Sequence, residues 1–403
     1  MKNVMILIVA MTLLFTACKR ESSLAAKDNG TTTDPSVLTE SMVAEAGNNP
    51  DERVSSANET NTRMSDAGHV YIESNDLIQN VILVFRQQQD GKLRLESRVN
   101  SGGKGLGAGL ASQGALALDK KNNLLFAVNA GSNSVSSFRV KGDGNLELLY
   151  TAATGGEKPV SVTVHGHYVY VVNNSSADIT GFKVSDNGQL ESIAGSHQTL
   201  SSAGADPAQI SFTPDGYALL ISEKANNKVT AFGVKGDGGI YNKVVNQSVG
   251  NTPFGFDIVR DRFMVVSNAD GGNPGTSSCT SYKNLDNLRI NAVNGKVNNG
   301  QTSACWVGAT SFGRYAYVSN TASNTLSAYF VDFSGRLYVI PWVNEKAGEQ
   351  PADIIVSSDN RYVYNINGGS NTLGEFKRGV LGKLQNIGSI SALPDFAAGL
   401  VSY

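Results

Sequence analysis

The sequence contains a repeated pattern, and seven side chains that could bind or transform a small polar ligand lie at corresponding positions of its units. They are Lys158, Ser161, Asp206, Gln209, Glu223, Trp306 and Asp353. A carboxylate can take a proton from an attacking water, and an amide or ammonium group can hold a developing negative charge. Residues so far apart in the chain can act together only if the fold brings them to one place.

The repeat that carries these residues runs from residue 67 to residue 403. Each unit has an alternating apolar run, an Asn-rich turn, a second run ending near an aromatic residue, a glycine turn and a third run, as in FAVNAGSNSVSSFRVKGDGNLELL (126–149). The aromatic residue recurs seven times, at intervals of roughly 48 residues: Phe85, Phe138, Phe182, Phe232, Tyr282, Tyr329 and Phe376. With a leading strand before each unit, this period predicts an all-β, seven-bladed β-propeller with four-stranded blades.

The two ends of the repeated region complement each other. The first unit lacks its leading strand and opens at HVYIES (69–74), whereas the chain ends with a spare strand, AAGLVSY (397–403). We therefore predict that the C-terminal strand completes the first blade and closes the ring.

The propeller architecture sorts the polar residues by face. Connections between blades, and turns between the second and third strands of a blade, open on one face, and Lys158, Asp206 and Glu223 fall there. Glu223 stands where other units have Asn. The longest connections, 102–113 and 197–206, and the insertion 270–278 fall on the same face, where long loops often carry function.

One position of the leading strand also varies in an informative way. It is occupied around the ring by Ala115, Ser161, Gln209, Gly255, Trp306, Asp353 and Gly399. Polar and aromatic residues at a single repeated position predict ligand contacts at the channel mouth. The alternative is that they fill a tapering channel together with water.

The N-terminus predicts export. Residues 1–18, MKNVMILIVAMTLLFTAC, have a positive start, an apolar run and small residues before Cys18, which is typical of a signal peptide. The cysteine resembles that of a bacterial lipobox, so we expect lipid attachment at Cys18 and a lipid-anchored protein of the bacterial cell envelope. The alternative is an ordinary secretory signal. Residues 19–66 are polar and aperiodic, which predicts a flexible tether before the propeller at 67–403.

Composition and spacing argue against several other functions. Lys and Arg number 33 against 35 Asp and Glu, a balance without the basic excess that nucleic acid binding needs. His165 and His167 belong to a turn, and we expect neither a metal nor another cofactor. Cys279 and Cys305 fall on strands that are not neighbours, which favours two buried free thiols over a disulfide.

Two stretches resemble a known family. PAQISFTPDGYALLISEKANNKVTAF (207–232) and PADIIVSSDNRYVYNINGGSNTLGEF (351–376) are similar to units of the seven-bladed propeller lactonases, which include 6-phosphogluconolactonases and carboxymuconate lactonizing enzymes. The resemblance covers residues 67–403 and implies a small sugar-acid or muconate-type lactone as the ligand. Family members tend to carry Pro-Arg-His at the start of an inner strand, where this chain has Pro207-Ala208-Gln209 and Pro351-Ala352-Asp353.

The positions of the polar residues in the repeat give a hypothesis for their roles, and of these residues only Glu223 also matches the family pattern, which has a Glu after the following strand. Glu223 or Asp353 would act as the base, Lys158 or Gln209 as the donor, and Asp206, Ser161 and Trp306 would contact the ligand. The sequence leaves two functions open: a lactonase-like hydrolase or lyase, and a non-catalytic surface propeller that binds a ligand or a protein partner. Convergence of Asp206, Gln209, Glu223 and Asp353 around one cavity would favour the enzyme, and the enzyme interpretation is to be dropped if the four are scattered.

Overall fold

The computed structural model describes residues 38, 39, 42 and 68–403. The predicted signal peptide and Cys18 lie outside the described residues, as does most of the predicted tether. The three described residues of that tether, Leu38, Thr39 and Met42, are helical. The rest of the described chain folds into β-strands with three short 3₁₀ helices, Asp270–Gly272, Leu285–Asn287 and Val380–Gly382. No helix among the described residues is long and apolar enough to cross a membrane.

Seven antiparallel sheets form the blades, and the strands of each sheet follow one another from the innermost to the outermost. Blade 1 contains β29 (Ala398–Ser402), β1 (His69–Glu73), β2 (Val81–Gln87) and β3 (Leu93–Asn100). Blade 2 contains β4 (Leu116–Asp119), β5 (Leu124–Asn129), β6 (Ser134–Val140) and β7 (Leu146–Ala153). Blade 3 contains β8 (Pro159–His165), β9 (Tyr168–Asn173), β10 (Asp178–Val184) and β11 (Leu190–Ser192), and the short β12 (Gln198–Thr199) also pairs with β10.

The remaining four blades follow the same order along the chain. Blade 4 contains β13 (Pro207–Phe212), β14 (Ala218–Glu223), β15 (Lys228–Val234) and β16 (Ile240–Gln247). Blade 5 contains β17 (Pro253–Val259), β18 (Phe263–Asn268), β19 (Ser278–Lys283) and β20 (Asn291–Asn298). Blade 6 contains β21 (Ala304–Ala309), β22 (Tyr315–Asn320), β23 (Thr325–Val331) and β24 (Leu337–Lys346). Blade 7 contains β25 (Pro351–Val356), β26 (Tyr362–Asn367), β27 (Thr372–Arg378) and β28 (Leu384–Ile390).

A repeated contact joins neighbouring blades. A tyrosine of the second strand donates its hydroxyl hydrogen to the carbonyl oxygen of a glycine in the outer hairpin of the next blade, as Tyr71 does to Gly144 at 2.7 Å. Tyr364 donates to Gly91 in the same way, also at 2.7 Å. Gly91 has φ 85°, and a Cβ there would collide with the ring of Tyr362. The glycine turns predicted from the sequence therefore serve both the hairpin and the contact between blades.

The predicted ring closure is confirmed. Strand β29 pairs antiparallel with β1, so that Tyr71 lies opposite Val401 and Ile72 opposite Leu400. Tyr403 N donates to the carbonyl of His69 at 2.8 Å, which holds the C-terminus beside the first strand. The pairing of the N-terminal strand β1 with the C-terminal strand β29 thus closes the ring within one blade.

The predicted packing of thiols and histidines is also seen. Cys279 on β19 and Cys305 on β21 are buried free thiols. His165 ends β8, Gly166 adopts φ 57°, and β9 begins at Tyr168, so His165 and His167 flank the turn between β8 and β9. In the described part of the chain, no three His, Cys, Asp or Glu residues converge as metal ligands.

Ring closure yields a stability prediction for the inner C-terminal strand. Leu400 is 5% exposed and packs in the apolar core of blade 1, so Leu400→Ala is expected to lower the free energy of unfolding by about 2–5 kcal/mol. Gln385→Ala, on the exposed outer strand β28, is the matched control and should change it by less than about 0.5 kcal/mol. Urea unfolding followed by circular dichroism measures both. Equal, small effects would mean that β29 does not hold the ring closed.

Candidate functional site

A short segment of the connection between β3 and β4 lies across one end of the channel. Residues 109–113, which we call the cap segment, are bound by groups from four blades. Lys224 Nζ donates to the carbonyl of Ala111 at 2.6 Å, and Trp306 Nε1 donates to that of Ser112 at 2.7 Å. Ser112 Oγ in turn donates to the carbonyl of Val160 at 2.9 Å. The cap segment is therefore fixed from blades 3, 4 and 6.

Gln113, the last residue of the cap segment, binds blades 5 and 6. Its Nε2 donates to the carbonyls of Val307 at 2.8 Å and Phe256 at 3.3 Å, and its Oε1 accepts from Val307 N at 2.9 Å. Gln113 N donates to the carbonyl of Ala208 at 3.0 Å. One amide side chain thus uses donor and acceptor groups that the inner strands leave unpaired.

Cavities lie on both sides of this segment. The mouth cavity, about 340 Å³, is lined by Leu110, Phe254, Trp306, Gln350, Asp353 and Phe396 among others. The channel cavity, about 380 Å³, is lined by the inner strands and by Gln113, Gln209, Asp257 and Asp353. Asp353 borders both spaces.

The carboxyl group of Asp353 lies on the wall of the mouth cavity. It lies on the innermost strand β25, is 5% exposed, and its Oδ2 accepts from Gly399 N at 3.2 Å. Burial raises the pKa of Asp353 to about 7, and the hydrogen bond from Gly399 partly offsets that rise. At neutral pH, both the proton-accepting and the proton-donating form of this carboxyl are populated.

A second buried carboxyl lies beside the first, and the sequence did not predict it. Glu73 ends β1 and lies opposite Ala398 of β29, the strand whose Gly399 binds Asp353. Burial raises the pKa of Glu73 well above its usual value, and the negative charge of Asp353 adds to the rise, whereas Asn80 lowers it. Glu73 fills the strand-end position that Glu223 fills in blade 4 and Asn fills elsewhere. The long turn at 74–80 hides this equivalence in the sequence.

Amide groups offer hydrogen-bond donors at the mouth cavity. Gln350 and Asn324 both line it, and Asn324 Oδ1 accepts from Gln350 N at 2.8 Å. This leaves Asn324 Nδ2 and the side-chain amide of Gln350 without a hydrogen-bond partner in the described part of the chain. Gln350 has φ 51°, a left-handed conformation that is uncommon outside glycine.

The same backbone conformation recurs around the ring. The residue just before the inner strand has φ between 50° and 58° in five blades: Lys158, Asp206, Thr252, Ser303 and Gln350. Of these, Ser303 and Gln350 line the mouth cavity, on the side of blades 6 and 7. The repeated turn thus presents a different side chain from each blade.

Trp306 and Gln209 lie where the sequence predicted, at the channel, but use their polar groups internally. Trp306 lines the mouth cavity, and its ring centroid lies 4.8 Å from that of Phe254. Gln209 lines the channel cavity, where its Nε2 donates to the carbonyl of Phe256 at 3.0 Å and its Oε1 accepts from Phe256 N at 2.7 Å. Gln209 therefore connects blades 4 and 5, and its amide is already bonded.

The structure places Glu223 away from both cavities. This fully buried carboxylate accepts hydrogen bonds from Ser201 N at 3.2 Å, from Ser201 Oγ and from Asn226 Nδ2 at 2.8 Å. Asn residues at the equivalent position donate to the third strand of their blade, as Asn320 does to Ser327 Oγ at 2.8 Å. Glu223 instead accepts from Ser201 of the preceding connection and from Asn226 of the turn before β15.

Lys158, Asp206 and Ser161 also lie outside the walls of the two cavities. Asp206 Oδ1 lies 3.3 Å from Lys224 Nζ and accepts from Asn174 Nδ2 at 2.9 Å. Burial lowers the pKa of Lys158, and nearby Lys224 lowers it further. Ser161 Oγ accepts from Ile210 N at 3.2 Å. Asp206, Gln209, Glu223 and Asp353 therefore do not converge around one cavity, so an enzyme built from these four residues is not supported. Gln209 and Asp353 share the channel cavity, and of the four only Asp353 borders the mouth cavity.

Lys224 is a further residue that the sequence interpretation missed. Its ammonium group is buried between Asp206, the carbonyl of Ala111 and the ring of Phe254, whose centroid lies 4.9 Å away. Such a site combines an ion pair, a charge-assisted hydrogen bond and a cation–π contact. Lys224 holds the cap segment in place rather than facing the cavity. Only its adjacency to Glu223 could have drawn attention to it.

The pKa of Asp353 predicts a pH-dependent effect of substitution. In the unfolded chain this carboxyl ionises near pH 4, so between pH 4 and pH 7 the folded state binds more protons, and its stability falls as the pH rises. Asp353→Asn removes this loss. The variant should gain up to about 4 kcal/mol over the wild type at pH 8 and little at pH 4. Thermal unfolding at both pH values measures the gain, and an equal effect at pH 4 and pH 8 would contradict the raised pKa.

Comparison with known proteins agrees with this architecture. The family model "Lactonase, 7-bladed beta-propeller" matches residues 64–203 and 166–277, which together make up just over half of the chain. A 6-phosphogluconolactonase of Serratia proteamaculans (strain 568) is 27% identical over 179 residues, which are 41% of this chain and 53% of that protein. One of Enterobacter sp. (strain 638) is 29% identical over 160 residues, 36% of this chain and 47% of that protein. The chain thus spans about half the length of these curated relatives.

Solved structures show the same fold at lower identity. The periplasmic gluconolactonase of Pseudomonas aeruginosa has a TM-score of 0.67 and 18% identity, covering 83% of this chain and 98% of that one. A protein from Lactobacillus plantarum has a TM-score of 0.69 and 17% identity, covering 84% and 100%. These structures agree with the seven-bladed fold, and the family model that matches just over half of the residues shows that the chain belongs to the family of seven-bladed β-propeller lactonases.

Proposed function

We propose that this protein hydrolyses a small, uncharged sugar-acid lactone in the mouth cavity, with Asp353 as the general base. The observation that carries the proposal is a buried carboxyl with a pKa of about 7 on the wall of a cavity that can hold a small ring. A base is most useful when its pKa lies near the working pH. Membership of a lactonase family supports the choice of substrate.

The proposed reaction needs one carboxyl and a pair of donors. Ionised Asp353 takes a proton from water as the water oxygen attacks the lactone carbonyl carbon, and a tetrahedral oxyanion forms. The side-chain amides of Gln350 and Asn324 are the available donors for that oxyanion. When the bond between the carbonyl carbon and the ring oxygen breaks, protonated Asp353 returns the proton to the leaving oxygen. The product is the open-chain hydroxy acid.

The lining of the cavity favours an uncharged lactone over a phosphorylated one. None of the described residues that line it is Lys, Arg or His. A phosphate group normally requires such a cation or a row of backbone N–H groups. Phe254, Trp306 and Phe396 instead offer apolar surface to one side of a sugar ring. The buried ammonium of Lys224 is bound to Asp206 and Ala111.

We place the reaction in the bacterial cell envelope. The support is the sequence of residues 1–18, which predicts export and lipid attachment at Cys18. Substrate would then reach the cavity from outside the cytoplasm. An uncharged sugar lactone suits that location, since phosphorylated sugars are largely retained by membranes.

A binding function without catalysis is the second candidate. It is favoured by the largely apolar wall of the mouth cavity and by the engagement of Gln209 and Glu223 in structural hydrogen bonds. In that case the cavity would hold a ligand that is not turned over. The assay below separates the two.

The experiment is a pH-stat assay of the purified protein on gluconolactone, its 6-phosphate and muconolactone, with spontaneous hydrolysis subtracted. Gluconolactone should be hydrolysed fastest. The value of kcat/KM should rise with pH and reach half its maximum near pH 7, because Asp353 must be ionised to act as the base. Asp353→Asn should lower kcat by at least about 100-fold.

Glu223→Gln is the matched control, because it removes a buried carboxylate that lies outside the cavity. If that variant is folded, it should keep its activity within about threefold of the wild type. Loss of activity in Glu223→Gln with retention in Asp353→Asn would move the base to Glu223. Absence of turnover on every lactone by folded protein would favour the binding function.

A further inference from the structure

The face opposite the mouth cavity carries an apolar slot where blades 6 and 7 meet. This docking slot consists of Arg314, Tyr315, Phe330, Ile340 and Leu384, all buried. Arg314 belongs to the turn between β21 and β22, which opens on the face away from the cap segment. Tyr317 Oη donates to the carbonyl of Gly382 at 3.1 Å and joins the two blades beneath the slot.

The occupant of the slot comes from the chain before the propeller. Leu38 is 2% exposed, Met42 is fully buried, and both belong to the same apolar cluster as Tyr315, Phe330 and Ile340. They are helical and four positions apart, so they lie on one face of a helix. A region whose composition predicts a flexible tether thus contributes two side chains to the core.

Arg314 adds a polar contact between the docking slot and the backbone of the segment that contains Met42. Its guanidinium group is fully buried and donates from Nη2 to the carbonyl oxygen of Met42. The rings of Tyr315 and Phe330 lie 5.6 and 5.4 Å from its central carbon. A charged donor enclosed by aromatic rings needs acceptors, because a buried cation without them is costly. The carbonyl of Met42 is one of these acceptors.

The sequence around these residues carries helix boundary signals. Asp34 followed by Pro35 is a typical helix start, and Gly47 is a typical helix end. The pattern between them predicts a helix that contains both Leu38 and Met42. Sequence pattern and packing therefore point to the same segment.

We propose that this segment docks the propeller with its mouth cavity facing away from the membrane. The inference is independent of the lactone chemistry, and its orientation rests on the proposed lipid at Cys18. Docking at Leu38 leaves about 20 residues between the lipid and the propeller. The mean end-to-end distance of a flexible chain of that length is roughly 25 Å. An undocked tether of about 50 residues would span roughly 40 Å and attach at blade 1. The docked segment shortens the link and attaches it to the face opposite the cavity.

The docking is tested by amide hydrogen exchange on the full mature chain, with variants on the two sides of the predicted helix. Met42→Lys places a cation beside the buried guanidinium of Arg314 and should speed exchange of the amides around residues 38–46 at least tenfold. Ala44→Lys carries the same charge but lies about 200° around the helix, and should leave exchange within about twofold of the wild type. Wild-type exchange as fast as that of an unfolded peptide, or equal acceleration in both variants, would overturn the docking.

The orientation is tested on lipidated protein bound to vesicles, by energy transfer to an acceptor dye in the membrane. Ser334→Cys puts the donor dye on the face of the docking slot, and Ser132→Cys puts it on the face of the mouth cavity. Cys279 and Cys305 are buried and should not react. Transfer should be higher from Ser334→Cys, and adding Met42→Lys should reduce the difference while Ala44→Lys keeps it. Equal or reversed transfer, or protein that carries no lipid at Cys18, would overturn the orientation.

Discussion

The hydrogen bonds that hold residues 109–113 across the channel are the interaction on which the site depends. Inner strands of a propeller leave backbone groups directed into the channel, and Gln113 pairs with three of them on blades 5 and 6. Lys224 and Trp306 bind the carbonyls of Ala111 and Ser112. Without this segment, the mouth and channel cavities would be one open channel. With it, Asp353 lies at the boundary between them.

The electrostatics of the site follow from the same enclosure. Two carboxyl groups, Asp353 and Glu73, lie on the two sides of strand β29 and are both buried. Burial raises the pKa of each, and the charge of one opposes ionisation of the other. A carboxyl that is half ionised near neutral pH can accept and return a proton in one reaction cycle. The ring closure that brings β29 beside β1 is therefore also what assembles this pair.

The fold could be predicted from the sequence because its determinants are local and repeated. Alternating apolar runs, glycine hairpins and one aromatic residue per unit recur seven times, and each copy reinforces the others. The site could not be predicted to the same extent. Glu223 shares a backbone position with Glu73, yet one carboxyl binds Ser201 and the other lies beside Asp353. The repeat fixes the backbone position of each side chain, whereas the groups that the side chain contacts depend on connections that are not repeated.

The contacts that these connections make could not be predicted from the sequence pattern. The sequence predicts that the long connection 102–113 carries function, but residues 109–113 within it bind blades 3 to 6, as much as 194 residues further along the chain. Leu38 and Met42 lie in a polar region whose average composition conceals two apolar residues at helical spacing. In both cases, a few side chains bind a surface that exists only after the ring has formed.

A crystal structure with gluconolactam, an analogue that resists ring opening, tests the central claim most directly. The account predicts that the analogue occupies the mouth cavity, with its carbonyl oxygen within hydrogen-bond distance of Gln350 or Asn324 and the carboxyl of Asp353 facing its carbonyl carbon. Binding on the opposite face, or an empty mouth cavity at a saturating concentration of the analogue, would contradict it.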